Sequence, residues 1–195
     1  MNQMQSKIVK SKERKLLYHQ TAFIALMTAL MCILGPISIP IGAVPISFTN
    51  FVIYIMSYLL STKFSVISCC IYLLIGTIGI PVFSGFSGGI AKLAGPTGGY
   101  LVGFIFMAAI SGIFVKKFRD KMLLQILGMA LGTLADYILG TVWFIIEARC
   151  NLFYALTVCV FPFLFADGMK ILAACKIGPI IRKALNKGKL LNMDS

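Results

Sequence analysis

Charged residues are absent from the first long apolar stretch of the chain. No Lys, Arg, Asp or Glu occurs in the 47 residues from Leu16 to Thr62. A single helix of that length would extend about 70 Å, roughly twice the hydrocarbon core of a bilayer. The stretch therefore predicts two membrane-spanning segments, separated where glycine and proline residues cluster between Gly35 and Pro45.

The later apolar blocks bring the number of predicted spans to six. Residues 150–161 are also apolar, but Pro162 follows them, and proline is favoured in the first turn of a helix. We therefore expect an interfacial or re-entrant segment at 150–161 and the start of the last span near Pro162. The six predicted spans cover residues 21–34, 46–61, 64–80, 98–115, 123–146 and 162–181.

The composition agrees with an all-α integral membrane protein. Hydrophobic residues make up 59% of the 195 residues, and the mean hydropathy is +0.94, too high for a soluble domain. We predict one domain over residues 1–195, with a membrane domain at 16–181 between basic cytoplasmic tails at 1–15 and 182–195. The first apolar run lacks a small-residue cleavage site, so we expect a retained span rather than a signal peptide.

The positive charges predict the orientation of the spans. With the N-terminus inside, 15 of the 18 Lys and Arg residues fall in the N-terminal tail, at Lys63, in the loop 116–121 and from Lys176 onward, whereas Lys92 and Arg149 lie outside and Lys170 lies within the last span. Cytoplasmic segments carry an excess of positive residues, so both termini are expected in the cytoplasm. The net charge of +12 then reflects topology in a cell membrane and not a nucleic-acid partner.

A glycine-rich connection, residues 81–104, joins the third and fourth predicted spans. Glycine permits positive φ angles and close approach of the backbone, which suits a tightly folded loop. By the predicted topology the loop lies at the outer face. Two roles stay open, a lid over a binding site and a plain turn. The glycines lie at positions 85, 88, 89, 95, 98, 99 and 103.

Apart from Lys176 near the cytoplasmic end of the last span, three charged residues lie within the predicted spans: Asp136 in the fifth, and Asp167 and Lys170 in the sixth. A charge in a span costs a few kcal/mol, so it faces a partner, a cavity or water. The i, i+3 spacing of Asp167 and Lys170 places them on one face of a helix. They form either a self-satisfied ion pair or part of a binding site.

Aromatic residues are expected at the same depth as this pair. Phe83, Tyr100, Tyr137 and Trp143 fall in or near the glycine-rich connection and the outer part of the fifth span. Each is consistent with an aromatic belt at the membrane interface. Their coincidence with a buried charge pair and a flexible loop also indicates a small-molecule pocket.

Other motifs limit the function. The sequence contains no GxxxxGK[ST] phosphate loop, so the chain itself does not hydrolyse ATP by that route. Gly85-Phe86-Ser87-Gly88 matches the GxSG motif of rhomboid-type intramembrane proteases, but the single histidine, His19, is predicted at the opposite side of the membrane. The six cysteines form no CxxC pair and are interpreted as small hydrophobic residues. We expect no enzyme activity, metal site or cofactor.

The first predicted span has a face of small residues. Ala25 and Ala29 are one helical turn apart, so another helix can approach closely there. Packing within the chain and docking of a partner subunit both fit this pattern.

Several motifs together resemble the BioY family, the biotin-specific substrate-binding components of energy-coupling factor transporters. The resemblance covers nearly all of the chain from the first to the sixth span. It is carried by Gly79-Ile80-Pro81-Val82-Phe83, Gly85-Phe86, Gly88-Gly89, Gly95-Pro96-Thr97-Gly98-Gly99-Tyr100, Gly103-Phe104, Val44-Pro45-Ile46-Ser47, Tyr137 with Gly140 and Trp143, and Pro162-Phe163 with Asp167 and Lys170.

The resemblance implies six helices, an external biotin site and no ATPase in this subunit. Energy would come from a coupling transmembrane protein and two ATPase subunits, with the substrate-binding component toppling in the membrane. The small-residue face at Ala25 and Ala29 matches the AxxxA pattern by which the family's first helix docks on the coupling protein.

The resemblance also implies roles for individual residues. Asp167 would accept from an ureido N–H of biotin and Lys170 would donate to the ureido oxygen. Backbone N–H groups at Gly88 and Gly89, with Lys92, would hold the valerate carboxylate. The residues implied to pack on the bicyclic ring are Phe83, Tyr100, Tyr137 and Trp143.

Two positions depart from the family pattern. The usual Gln of the second span is replaced by Phe48, Thr49 and Asn50, of which Asn50 offers an amide one position along. Asp136 is not expected beside Tyr137, and it either joins the pocket or pairs with a cation elsewhere. The alternatives to a biotin-binding subunit are a component for another small vitamin, a rhomboid-like protease and a purely structural membrane subunit.

Overall fold

The computed structural model describes residues 2–41 and 44–188, with side chains from Tyr18 onward. Residues 189–195 of the predicted C-terminal tail lie outside this range. The described elements are α1 Asn2–Leu34, β1 Ser38–Ile39, β2 Ile46–Ser47, α2 Thr49–Leu59, α3 Thr62–Thr77, α4 Ile90–Ala94, α5 Gly98–Lys117, α6 Met122–Ala148, α7 Leu152–Cys159 and α8 Phe161–Lys187.

Within the described residues, three helical stretches are long and apolar enough to cross a membrane, namely α5, α6 and the nearly continuous Leu152–Lys187. The other apolar helical segments are shorter: Tyr18–Leu34, Thr49–Leu59 and Thr62–Thr77. Each of the six predicted spans coincides with one of these apolar segments or, for the last, with α8. The structure is therefore almost entirely helical, as the apolar blocks predict.

Two boundaries differ from the sequence prediction, and the predicted break near Pro162 agrees with it. The helix of the first span begins at Asn2 rather than near residue 21, because the basic segment contains no glycine or proline that would end a helix. The second span is shorter than expected: α2 has 11 residues and extends about 17 Å, because Ile46 and Ser47 pair with Ser38 and Ile39 in a hairpin. The segment 150–161 contains a separate helix, α7, which ends where Val160 leaves helical geometry just before Pro162.

Helices α5 and α6 form the most extensive helix pair, and glycine residues allow their close approach. A Cβ atom at Gly99 would overlap Trp143, and one at Gly103 would overlap the carboxylate of Asp136. From the other helix, Gly140 lies against the ring of Tyr100. Small residues at such contacts increase van der Waals packing, which drives helix association in a membrane.

Buried polar side chains within the bundle pair across helices. Thr28 on α1 donates to Ser68 on α3, and Tyr58 on α2 donates to Gln125 on α6 at 2.8 Å. The hydroxyl groups of Tyr54 and Thr133 also bond to each other. These contacts satisfy groups that would cost free energy if left unpaired in an apolar interior.

The glycine-rich connection is folded against α1 and α3. The amide of Gly89 donates to the carbonyl of Gly76 at 2.7 Å, and the amide of Gly85 donates to the carbonyl of Pro36 at 3.1 Å. Gly85 and Gly89 have φ angles of 73° and 92°, conformations that favour glycine. Phe83 is fully buried and its ring packs edge-on against Tyr72, with centroids 5.5 Å apart. The connection thus has its own internal structure, including the short helix α4.

Candidate ligand-binding site

The carboxylate of Asp167 is the centre of a buried polar cluster. Its Oδ1 atom lies 2.8 Å from Nζ of Lys170. Its Oδ2 atom accepts from the hydroxyl of Tyr137 at 2.7 Å and from Nδ2 of Asn50 at 3.2 Å. Asp167 is only 2% exposed. We call Asn50, Tyr137, Asp167 and Lys170 the Asp167 cluster; it joins α2, α6 and α8.

Lys170 also connects the cluster to the hairpin. Its Nζ atom donates to the backbone carbonyl of Ser47 on β2 at 2.8 Å. The lysine side chain is 12% exposed, so the ion pair is largely removed from solvent. A buried ion pair offsets its desolvation cost only when further hydrogen bonds satisfy the remaining donors and acceptors, and this pair has three such bonds.

A small, partly open cavity lies beside the Asp167 cluster. It combines apolar walls with a few convergent polar groups, as small-molecule sites do. The lining comprises Val44, Pro45, Ser47, Asn50, Tyr100, Phe104, Asp136, Tyr137, Cys159, Phe163, Asp167 and Lys170.

A second small cavity adjoins the first. Both are lined by Val44, Pro45, Ser47, Tyr100 and Phe104. Ser84 and Thr97 of the glycine-rich connection line the second cavity. The first cavity therefore contacts the Asp167 cluster, and the second contacts the connection.

Tyr100 forms a wall common to both cavities. Its hydroxyl lies 3.1 Å from Oγ1 of Thr141, and its ring packs against Gly140. The hydroxyl is therefore satisfied by the protein, and the ring is left to provide apolar contact.

We expect Gly140→Ala to weaken ligand binding through Tyr100. The added methyl group overlaps the ring, which must shift toward the cavity it lines. Overpacking of this kind costs about 1–3 kcal/mol of stability. Ligand titration beside thermal unfolding would measure both effects. Gly168→Ala, where nothing lies within 4 Å of the added atom, is the matched control, and unchanged binding in Gly140→Ala would show that the ring of Tyr100 does not bound the site.

Five of the predicted site residues lie in or against the glycine-rich connection and do not line either cavity. Phe83 packs under the connection against Tyr72. Trp143 is 41% exposed, and its Nε1 donates to the carbonyl of Gly95 at 3.0 Å, so it holds the connection against α6. Both rings thus have structural contacts that the sequence pattern does not reveal.

The remaining three are Gly88, Gly89 and Lys92. The amide of Gly89 already donates a hydrogen bond to the carbonyl of Gly76. A Cβ at Gly88 would overlap the backbone of Ile80, so that glycine is required for the fold of the connection. Lys92 is partly exposed on α4. Their contact with a ligand carboxylate stays a prediction.

The cavity also contains Asp136, which the sequence left without an assigned role. Its side chain is 2% exposed, lines the cavity beside Asp167, and has no hydrogen-bond partner at Oδ1 among the described residues. It therefore joins the pocket and forms no ion pair with the described cations.

Sequence reasoning missed three contributions to the site. The backbone carbonyl of Ser47 holds Lys170, Val44 and Pro45 line both cavities, and Phe104 and Phe163 complete the apolar wall. The Val44-Pro45-Ile46-Ser47 motif marked this segment, but the hairpin that turns it toward α8 has only two residues in each strand and gives no periodic signal.

Two predicted surfaces lie elsewhere. Ala25 and Ala29 are both exposed on α1, beside exposed Leu26 and Ile33.

The two residues of the protease hypothesis lie far apart. His19 is exposed on α1, about 22 Å before the end of that helix at Leu34. Ser87 lies in the glycine-rich connection, which packs near that end, and it donates to the carbonyl of Ser84. Ser87 and His19 therefore do not form a catalytic dyad.

Comparison with known proteins identifies the family. The model of the BioY family matches residues 4–187. The chain is 32% identical over 168 residues to the biotin transporter BioY2 of Lactococcus lactis subsp. cremoris, covering 86% of this chain and 92% of that protein. It is 34% identical over 159 residues to the biotin transporter BioY of Thermotoga maritima, covering 81% and 92% respectively.

A solved structure gives the same result. The crystal structure of the S-component for biotin from an ECF-type ABC transporter superposes with a TM-score of 0.78 at 30% identity, covering 84% of this chain and 90% of that one. Fold, motifs and sequence similarity agree over nearly the full length. The chain therefore belongs to the BioY family.

Proposed function

We propose that the chain is the biotin-binding membrane subunit of an energy-coupling factor transporter and that the Asp167 cluster binds the ureido group. The observation that carries the proposal is a buried, hydrogen-bonded Asp167–Lys170 pair at the wall of a cavity that combines apolar and polar groups. Membership of the BioY family and similarity to proteins described as biotin transporters support it.

The ureido ring of biotin matches the polar groups of the cluster. It has two N–H donors and one carbonyl acceptor. Asp167 accepts from one N–H, and Lys170 donates to the carbonyl oxygen. Hydrogen bonds to charged groups contribute about 1.5–3 kcal/mol each, so two of them account for much of a tight affinity.

The apolar part of biotin fits the remaining walls. Tyr100, Phe104 and Phe163 offer apolar surface to the bicyclic ring. The second cavity then takes the valerate chain toward the glycine-rich connection, where Gly88, Gly89 and Lys92 are proposed to hold its carboxylate. This arrangement uses both cavities with one elongated ligand.

The membrane orientation follows from the ends of the helices. The cluster and both cavities lie near the first turns of α2, α5 and α8. The opposite end of the bundle carries Lys63, Lys116, Lys117, Arg119 and Arg182. By the positive-inside rule we propose that this end lies in the cytoplasm and the site at the outer face, with six spans and both termini inside.

Transport requires energy that this chain does not supply. We propose that a coupling transmembrane protein docks on the exposed α1 face at Ala25 and Ala29 and that two ATPase subunits drive it. Small residues on an exposed helix let a partner backbone approach closely, which supports this assignment.

The proposal predicts a vitamin-specific rise in thermal stability. A ligand that binds only the folded state stabilises it by about 2.7 kcal/mol at 100 times its Kd. Biotin is expected to raise the melting temperature of the purified chain in detergent, whereas thiamine and riboflavin leave it unchanged. Stabilisation by another vitamin instead would make the chain a component for that vitamin.

Asp167→Asn is expected to weaken biotin binding by at least tenfold, about 1.4 kcal/mol. The amide keeps the shape of the side chain but loses the charge that strengthens its hydrogen bonds. Glu147→Gln makes the same chemical change at an exposed position on α6 and should leave binding unchanged. Equal affinity in the two variants would remove Asp167 from the site.

A further inference from the structure

The carboxylate of Asp136 is buried without the partners that such a group requires. It lies on α6 immediately before Tyr137, is 2% exposed, and has an unsatisfied Oδ1 atom among the described residues. Isolated buried charges or unpaired polar groups cost several kcal/mol. The fold therefore carries a group that destabilises it in the absence of a ligand.

No feature of the packing requires a carboxylate at this position. Oδ1 lies against Gly103 of α5, which offers only its Cα there. The neighbouring polar group on the same face of α6, Thr133, has its partner in Tyr54. Lys170, the cation that lines the cavity, already contacts Asp167 and the carbonyl of Ser47.

Asp136 and Asp167 line the same cavity from two different helices. The cavity therefore presents two carboxyl groups and one ammonium group. A ligand complementary to this set has two hydrogen-bond donors that flank one acceptor. An ureido group has this order of atoms, N–H, C=O and N–H.

We infer that Asp136 is a specificity-determining ligand contact, which accepts a hydrogen bond from the ureido N–H that Asp167 does not engage. The inference rests on the proposed function and adds a second carboxylate to the site. The carboxyl group of Asp136 gains a hydrogen bond once biotin is bound. A ligand that lacks this N–H leaves Asp136 without a partner and is rejected, because the site loses affinity whenever a buried polar group stays unsatisfied.

The first test replaces Asp136 by its apolar isostere in the full chain. Asp136→Leu is expected to bind biotin at least tenfold more weakly than the wild type. Its ligand-free melting temperature should be equal to or higher than that of the wild type, because the unpaired carboxylate is gone. Ser111→Ala is the matched control, since Ser111 on α5 also has an unsatisfied buried oxygen but does not line the cavity; its affinity should be unchanged.

The second test removes one donor from the ligand. Two isomers of biotin, each methylated at one ureido nitrogen, are titrated against the wild type and Asp136→Ala, which makes room for the methyl group. One isomer should bind the wild type weakly and should regain most of its affinity with Asp136→Ala. The other isomer should bind both proteins weakly, because its missing N–H faces Asp167.

The outcomes separate this inference from the proposed function. No biotin binding by the folded wild-type chain would overturn both. If the wild type binds biotin and the affinity of Asp136→Leu is within twofold of the wild-type affinity, the inference alone is overturned. A Leu variant that loses stability together with affinity, or two isomers that respond alike to Asp136→Ala, would make Asp136 a structural residue and would also overturn it.

Discussion

Lys170→Met is expected to lower the free energy of unfolding by about 3–5 kcal/mol. The substitution leaves the buried carboxylate of Asp167 with only the neutral donors of Asn50 and Tyr137. It also removes the hydrogen bond that ties the Ser47 carbonyl to α8. Biotin binding should fall at least tenfold, because the donor to the ureido oxygen is lost. Denaturation of the detergent-solubilised variant and calorimetric titration measure the two losses.

The double variant Asp167→Asn/Lys170→Met separates charge from packing. It removes both charges, so no buried carboxylate is left unpaired there, and stability should recover most of the loss. Binding should not recover, because both proposed ligand contacts are still absent. A single Lys170→Met variant as stable as the wild type would show that the ion pair is not buried in the way described.

Ala25→Trp and Ala29→Trp are expected to abolish biotin uptake by cells that also produce the coupling subunits. Both positions are exposed on α1, so the indole group does not disturb the bundle. It does prevent close approach of a partner helix. Biotin binding by the isolated subunit should stay within twofold of the wild type, which separates docking from ligand capture.

Val142→Trp provides the matched control for these variants. Val142 is 52% exposed on α6 and also faces away from the bundle. Uptake should persist in this variant. Loss of uptake in all three would indicate a general effect of tryptophan at the bilayer surface, and loss of binding together with uptake in the alanine variants would indicate a folding role for this face.

The sequence predicts the apolar architecture well because charged, glycine or proline residues separate the long apolar blocks. The predicted span 98–115 lies within α5, and 123–146 lies within α6. Pro162 marks the start of α8 because proline lacks the N–H that a first turn does not use. The family resemblance is confirmed by the match over residues 4–187.

The parts that sequence reasoning misses depend on contacts between distant segments. Asn50, Tyr137, Asp167 and Lys170 come together as the spacing and the motifs suggest. The use of Trp143 to hold the connection depends on a single bond to the carbonyl of Gly95. The shortening of α2 depends on strand pairing across a loop, and neither contact leaves a periodic pattern in the sequence.

Asp136 shows a different limit of prediction from the sequence. A charged residue in an apolar span indicates function but not which partner it meets. Only the structure places it in the cavity beside Asp167, and only the ligand that we propose supplies its hydrogen bond. Its departure from the family pattern was visible in the sequence, whereas its role depends on tertiary packing.

Calorimetric titration of the purified wild-type chain with biotin tests the central claim most directly. Saturable binding of about one biotin per chain is expected, with binding at least tenfold weaker in Asp167→Asn. A chain shown to be folded that releases no heat with biotin, and gives no competition against a labelled analogue, would contradict the account.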